Sequence, residues 1–392
     1  MARYSRGANI VTTAIAGVPE IQELVLDAMN AATPLRISGR SHWMDAGRPV
    51  SATRIASLAA HRGIVDYVPG DLTMTVRAGT TLREIAEAAH AERQWLPLDP
   101  FGASDGTIGA TIATGSFGPL ATGFGRARDL VLGVEFVTGD GKIVRGGGKV
   151  VKNVAGFDLV RLVTGSWGTI GIVTEATLRL YSLPSHEATL SLGIPDSVTA
   201  MSQRITSVLS IPGSAFAVEI VDQAMAGRIG LSQKPQILVR IGGNYAAVAA
   251  QRAAVEALGG AREMDSIVWE KLRVAEDSHP AATVLRISSL PKRVSEIWNA
   301  TRNVIAEIEG AMLHATPALG VVRCILPGDA SPEMIDRARS AAPYATVIFE
   351  RLPHAAWASV SPSIVSDRLS QGIKRAFDPS NILNPGILGP VS

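Results

Sequence analysis

Arg286, in VLRIS, and Arg323, in VVRCIL, each interrupt an apolar, strand-like run, where an unpaired guanidinium is expensive. Each must therefore meet a partner or line a cavity. In a cavity such a cation can clamp a carboxylate, and His314 is a candidate base for a neighbouring hydroxyl. Satisfied interior residues would present the same pattern, and the sequence alone leaves both readings open. A second group of residues suits anion binding. Ser38-Gly39-Arg40-Ser41-His42 combines small residues with N–H donors, which lets a backbone approach a phosphate closely. Thr107-Ile108-Gly109 and the run from Thr111 to Gly118 offer the same chemistry. Taken singly, the first segment is an ordinary surface turn and the second merely Gly-rich.

The elements around these residues are marked by turn and cap chemistry. Ile21, Leu24, Val25 and Ala28 share one face of a helix over 18–30, and LRIS (35–38) then enters the first Gly-containing loop. GIVDYV and LTMTVRAG, separated by Pro69, Gly70 and Asp71, form a hairpin. Thr81 and Glu84 make a capping box for a helix that turns Leu82, Ile85, Ala86 and Ala89 inward. Gly139, Asp140 and Gly141 mark a further hairpin between VLGVEFV and KIVR. Beyond Pro184 the strands ATLSLGI, FAVEIV, QILVRI, TVLRIS, GVVRCIL and ATVIF alternate with helical segments near 198–209, 246–258, 292–308 and 331–341. That alternation predicts an antiparallel sheet backed by helices.

Five blocks occur in order: LRISGRSHWMDAG (35–47), TMTVRAGTTLREI (73–85), LPLDPFGASDGTIGATIATGSFGP (96–119), RARDLVLGVEFVTGDGK (126–142) and GKVVKNVAGFDLVRLVTGSWGTIGIVTEATLRL (148–180). With FDPSNILNPG (377–386) near the other end, they closely resemble the vanillyl-alcohol oxidase type flavoproteins, also typified by p-cresol methylhydroxylase. Within that superfamily the likeness is greatest to the FAD-binding subunit of bacterial glycolate oxidase. The resemblance implies an α+β fold: a two-subdomain FAD-binding domain (1–183), an α+β cap domain with an antiparallel sheet over the flavin (184–360), and a terminal segment (361–392) that returns to the first domain.

The same resemblance implies FAD contacts at Ser38, Gly39, Arg40, Ser41, His42, Pro100, Thr107, Ile108, Gly109, Thr111, Thr114, Gly115 and Gly118. It further implies Gly168, Ile172 and Val173 near the adenosine half and Asn384 near the isoalloxazine. Arg40 and Ser41 replace two glycines of the usual loop, so they either add phosphate contacts or crowd the site. Some relatives attach FAD covalently through a histidine in this loop, and His42 is a candidate for that linkage or for a noncovalent contact. Lys152 and Asn153 could meet a flavin oxygen or cap a turn.

Composition narrows the partners. At 392 residues the chain can bury ample core without staples. Its one cysteine, Cys324, permits no internal disulfide and no four-thiolate cluster, so an iron–sulfur centre would belong to a partner. A formal charge of +2, with no basic run interleaved with aromatics, argues against nucleic acid. The charge-free stretch Gly106 to Gly125 contains six glycines and Pro119, too polar and kinked for a membrane span. No signal-peptide pattern opens the chain, and a cytoplasmic location is expected, with membrane association only through partner subunits. Gly123-Phe124-Gly125-Arg126-Ala127-Arg128 lacks the third glycine of a dinucleotide fingerprint and follows a loop. GGGK (146–149) has Val150 and Ile143 where a P-loop needs Ser or Thr and Gly. No histidine-rich metal motif is present.

These features lead to an FAD-dependent oxidoreductase, the FAD-binding subunit of a 2-hydroxy-acid (glycolate or D-lactate-like) dehydrogenase complex. Its expected partners are the 2-hydroxy-acid substrate, a second flavin subunit and an iron–sulfur subunit that takes the electrons. A stand-alone FAD oxidase or dehydrogenase, and a non-catalytic assembly subunit, are the alternatives.

Overall fold

The structure, a computed structural model, describes residues 10–148, 157–278, 282–358, 360 and 367–389. Helix Val18–Asn30 buries Ile21, Leu24, Val25 and Ala28, as the 3.6-residue period requires. It leads into Leu35–Ser38, which pairs in parallel with Arg54–Ser57, itself parallel to Val11–Ala14. A second sheet has five antiparallel strands in the order Ile64–Val68, Thr73–Arg77, Ile172–Arg179, Val131–Val137, Ile143–Gly147. Both expected hairpins lie in it. Pro69–Asp71 forms a 3-10 turn that closes with Leu72 at φ 55°. Thr81 and Glu84 cap helix Leu82–Ala91 reciprocally, each side chain bonding the other's backbone N–H.

The following region is an eight-stranded antiparallel sheet: Arg262–Met264, His186–Gly193, Gln236–Gly243, Ala217–Val221, Met312–Thr316, Val321–Leu326, Thr283–Ser288 and Thr346–Arg351, in spatial order. Arg262–Met264 and Met312–Thr316 have no counterpart among the sequence-expected strands. Alternation separates the two faces. Val218, Ile220, Val239, Leu285, Val322 and Cys324 pack against helices Val198–Leu209, Tyr245–Glu256 and Val294–Ile305. Ala217, Val221, Leu238, Val284 and Ile325 point the other way, to helix Ile267–Val274 and to Phe101 and Leu120 of the N-terminal half.

That second face also carries charge. Val221 pairs with His314, His314 with Arg323, and Arg323 with Arg286 on neighbouring strands, so Glu219, His314, Arg323 and Arg286 share the face by period 2. His314 Nδ1 lies 2.6 Å from Glu219 Oε1, and Nε2 lies 3.4 Å from Glu276 Oε1. Arg323 donates through Nε and Nη2 to the two Glu276 oxygens at 2.7 and 2.9 Å, and Nη1 reaches Glu350 at 2.6 Å. Burial alone would lower the His314 pKa, but its two carboxylate partners raise it above the ordinary value. Burial opposes Glu276 ionisation, yet Arg323 and His314 hold it well below the usual carboxylate range. Arg323 is only 4% exposed. The network stands because every charge in it has an opposite neighbour.

The C-terminal segment returns to the N-terminal half. Helix Arg368–Phe377, capped by the Asp367 carboxylate at the Leu369 and Ser370 N–H groups, sends Lys374 inward. Its ammonium donates to the Thr169 and Leu383 carbonyls and to Asp378. Asp378 in turn accepts from the Ile382 and Leu383 N–H groups. Residues 382–384 then lie along Leu35 as an added parallel pairing.

Removing the Arg323 guanidinium leaves Glu276 and Glu350 buried without their counter-charge. Arg323→Met is expected to destabilise the protein by about 3–5 kcal/mol, read as a lowered midpoint of urea unfolding. A midpoint equal to that of the wild type would show that the network contributes nothing net.

Candidate functional site

A cavity of about 310 Å³ opens in the N-terminal half, with Asn384 and Ile387 of the C-terminal segment completing its wall. Its walls bring together Ser38, Gly39, Arg40, Ser41, His42, Pro100, Thr107, Gly109, Thr111, Thr114, Gly168, Ile172, Val173 and Asn384. Fourteen sequence-nominated positions from four separate segments thus converge on one space. The loop after Leu35–Ser38 turns sharply, with Ser41 at φ 65°. It packs so closely that a Cβ on Gly39 would lie 2.3 Å from Thr107 Oγ1. Thr107 is the N-cap of helix Ile108–Thr114 and accepts from the Ala110 N–H. A Cβ on Gly109 would lie 2.7 Å from Ala78 Cβ, so this helix can approach the neighbouring strand only through glycine.

Three of the nominated positions are placed otherwise. Ile108 is fully buried in the N-terminal core and turns away from the cavity. Gly118 packs on the Asp99 backbone, where a Cβ would meet the carbonyl oxygen at 1.9 Å. Gly115 ends the helix at φ 63° and lines a second cavity of about 460 Å³. The two cavities adjoin, sharing Thr114, Trp167 and Ile387.

Asn384 reaches the cavity wall, but its amide is engaged with protein. Oδ1 accepts from the Ile37 N–H at 2.9 Å, and Nδ2 donates to the Trp167 carbonyl at 2.8 Å. At the mouth, Asp105 lies 3.4 Å from His42 Nε2 and 3.9 Å from Arg40 Nε. These two side chains are more than a third exposed, so the pairing contributes little to stability. Ser38 Oγ is buried and has no hydrogen-bond partner among the described residues, a donor held ready for a ligand oxygen. Lys152 and Asn153 lie outside the described residues.

The candidate carboxylate clamps and base are placed unequally. His314 and Arg323 line neither cavity; both belong to the buried ionic network, behind Phe101, whose ring stacks under Arg323 at 4.5 Å and meets His314 edge-on at 4.9 Å. With both imidazole nitrogens facing carboxylates, His314 has no free nitrogen to act as a base. Arg286 lines the second cavity. Its Nε lies 2.7 Å from Glu350 Oε1 without the alignment of a hydrogen bond. Sequence reasoning passed over Arg48, Arg126, Arg128 and Arg339, which line the same cavity.

Residues 13–147 match the family model described as an FAD binding domain, and residues 352–388 match the C-terminal domain of FAD linked oxidases. The chain is 32% identical to the glycolate oxidase subunit GlcE of Escherichia coli (strain K12) over 371 residues, covering 93% of this chain and 95% of that protein. The chain belongs to the GlcE family. A further relative is the glycolate oxidase subunit GlcD of Bacillus subtilis (strain 168), 29% identical over 82% of this chain and 76% of the relative. The substrate-bound structure of p-cresol methylhydroxylase shares the fold, with a TM-score of 0.71 at 16% identity over 97% of this chain and 88% of its own. The fold is therefore the α+β p-cresol methylhydroxylase type, the cofactor is FAD, and the chain is an FAD-dependent oxidoreductase.

The cavity suits that cofactor. Glycines let its walls pack closely, the Gly39 loop and the Thr107 helix present polar groups to it, and the Ser38 hydroxyl has no other partner among the described residues. Gly39→Val would force Thr107 from its capping position. Retention of FAD is expected to weaken by at least about tenfold, equivalent to ~1.4 kcal/mol, read as the flavin-to-protein absorbance ratio after gel filtration.

Asp99, next to the cavity-lining Pro100, accepts from the Leu120 N–H. Burial raises its pKa from 3.8 to about 7 against the pull of Arg273 and that bond. The folded state therefore holds a proton that the unfolded chain releases at lower pH. The associated stability is complete below pH 3.8 and is lost as pH rises through about 7. Its full size is on the order of 4 kcal/mol. Asp99→Asn retains an acceptor for Leu120 and should flatten the fall in unfolding midpoint between pH 5 and pH 8; an unchanged slope would assign the fall elsewhere.

Proposed function

We propose that this chain is the FAD-binding subunit of a 2-hydroxy-acid dehydrogenase complex that hands electrons to an iron–sulfur partner. The observation that carries the reading is the near end-to-end similarity to a glycolate oxidase subunit, joined to a cleft that adjoins an arginine-lined cavity. Bound FAD supplies a two-electron acceptor for oxidation of a hydroxyl-bearing carbon. The chain's own residues bind and orient. Backbone and side-chain groups of Ser38–His42 and Thr107–Thr114 would hold the phosphates, while Asn384 fixes the wall by tying Ile37 to Trp167.

The chain's own chemistry also points to a partner. Cys324 is fully buried within the eight-stranded sheet, and burial pushes its thiol pKa well above the ordinary value. A single inert thiol cannot carry an iron–sulfur centre, so one in the electron path would sit on another subunit. In this reading residues 1–183 and 361–392 form the FAD-binding domain and 184–360 the cap. Among the described residues no helix is long and apolar enough to cross a membrane. A cytoplasmic location, with any membrane attachment supplied by other subunits, accompanies the proposal.

The decisive experiment is anaerobic titration of the purified yellow protein with glycolate and D-lactate, followed by capture of its cellular partners. Bleaching of the flavin band together with co-purification of an iron–sulfur protein is the expected result. Bleaching without any such partner would favour the stand-alone dehydrogenase. Protein that takes up no flavin on reconstitution would remove both readings.

A further inference from the structure

The second cavity has an unusual charge balance. Its lining includes Arg48, Arg126, Arg128, Arg286 and Arg339 but no Asp or Glu among the described residues. Two of the five are engaged elsewhere: Arg48 lies over the Trp357 ring and donates to the Trp357 and Val360 carbonyls, and Arg339 pairs with Asp336 at the surface. Arg128 is half exposed at the rim, 3.9 Å from Asp129.

Arg126 has no such relief. Its guanidinium lies 4.4 Å above the buried Phe117 ring, and among the described residues no carboxylate comes within ion-pairing distance of it. Asp129, the nearest acid in sequence, spends its carboxylate on the Arg126 backbone N–H at 2.9 Å. Arg286 faces Arg126 from the sheet, and its one carboxylate neighbour, Glu350, is shared with Arg323. Burial first, and then the Arg286 and Arg128 charges, lower the Arg126 pKa from its ordinary value, and the Asp129 charge opposes them only in part. Like charges held together in a partly closed space are repulsive until an anion enters.

We propose that Arg126 and Arg286 form the clamp that receives the substrate's carboxylate, with Arg128 at the entrance. The inference rests on the 2-hydroxy-acid reading above and deepens it by naming the residues that select an acid over a neutral alcohol. The class of anion follows from the rest of the wall. Trp167, Val347, Phe349 and Ile387 are apolar, so the cavity suits an organic acid with a carbon chain better than inorganic phosphate. Planar guanidinium forks from two directions match a carboxylate's two oxygens. Through Thr114, Trp167 and Ile387 the acid would adjoin the cofactor cavity, which is where its hydroxyl-bearing carbon must be presented.

The test uses oxalate, a carboxylate that yields no hydride, titrated calorimetrically into FAD-loaded wild type and into Arg126→Ala, Arg286→Ala and Arg126→Lys. Flavin content measured by absorbance separates failure of the clamp from failure of the FAD reading. Oxalate is expected to bind the wild type, and affinity should fall by at least about tenfold in each alanine variant. Arg126→Lys should lie between them, with flavin content unchanged throughout. Arg126→Ala breaks no ion pair among the described residues and is the informative variant should Arg286→Ala fold poorly. Yellow wild-type protein that ignores oxalate, an Arg126→Ala protein that binds it as tightly as the wild type, or inorganic phosphate displacing oxalate at equal concentration would each overturn the clamp.

Discussion

One side-chain amide holds the cofactor cleft in shape. Asn384 accepts from Ile37 and donates to Trp167, joining the first loop, the turn before Ile172–Arg179 and the C-terminal segment at one buried point. Both ends of the amide are used, so either bond lost would leave a buried polar atom unsatisfied. The residue sits at φ 42°, a backbone conformation that asparagine tolerates better than most residues. It is kept there by the clamp behind it, where Lys374 gathers the Thr169 and Leu383 carbonyls and Asp378 secures the Ile382 and Leu383 N–H groups. The cleft is thus closed by the C-terminal segment at Asn384 and Ile387, although most of its walls come from residues before 174.

Placing charge on the inner face of the eight-stranded sheet has a different logic. An antiparallel sheet covered on both sides ordinarily turns apolar residues both ways, yet here Glu219, His314, Arg323 and Arg286 occupy neighbouring strands on the face that meets the N-terminal half. Such a row is tolerable only while each charge meets its opposite, which Glu276 and Glu350 provide up to Arg323. At Arg286 the one carboxylate neighbour is Glu350, shared with Arg323, and there the sheet face opens into the second cavity.

Much of the fold was legible because local rules and global fold agree. Pro-Gly-Asp and Gly-Asp-Gly turns set two hairpins, the Thr81–Glu84 box started its helix, and Ser197, Asn244 and Ser331 cap three helices of the second region as side-chain acceptors. Most nominated cavity residues also converge, since small residues mark where backbone must approach a ligand. Ile108 does not line the cavity because a motif position says nothing of side-chain direction; on a helix the residue beside a wall position turns into the core. Strand Met312–Thr316 went unseen because His314 breaks its apolar run, and the carboxylates that make the histidine tolerable lie on residues 219 and 276. The parallel sheet at the N-terminus escaped notice for want of any local mark on parallel pairing.

Arg126 shows the limit most clearly. In sequence it stands in a Gly-Phe-Gly-Arg segment that fails as a dinucleotide fingerprint and at the head of a family-like block (126–142), and neither reading marks it as a ligand-binding residue. Its significance comes from a distant strand: Arg286 arrives opposite it because the sheet packs on the N-terminal half through Phe101 and Leu120. The cofactor cavity draws on amides, hydroxyls and missing Cβ atoms, features that repeat in recognisable motifs. The neighbouring cavity depends on two guanidinia with too few counter-ions, a property of no single segment. A cofactor common to many relatives can be held by shared local sequence, whereas selection of an acid depends on which cations the fold leaves uncompensated beside it.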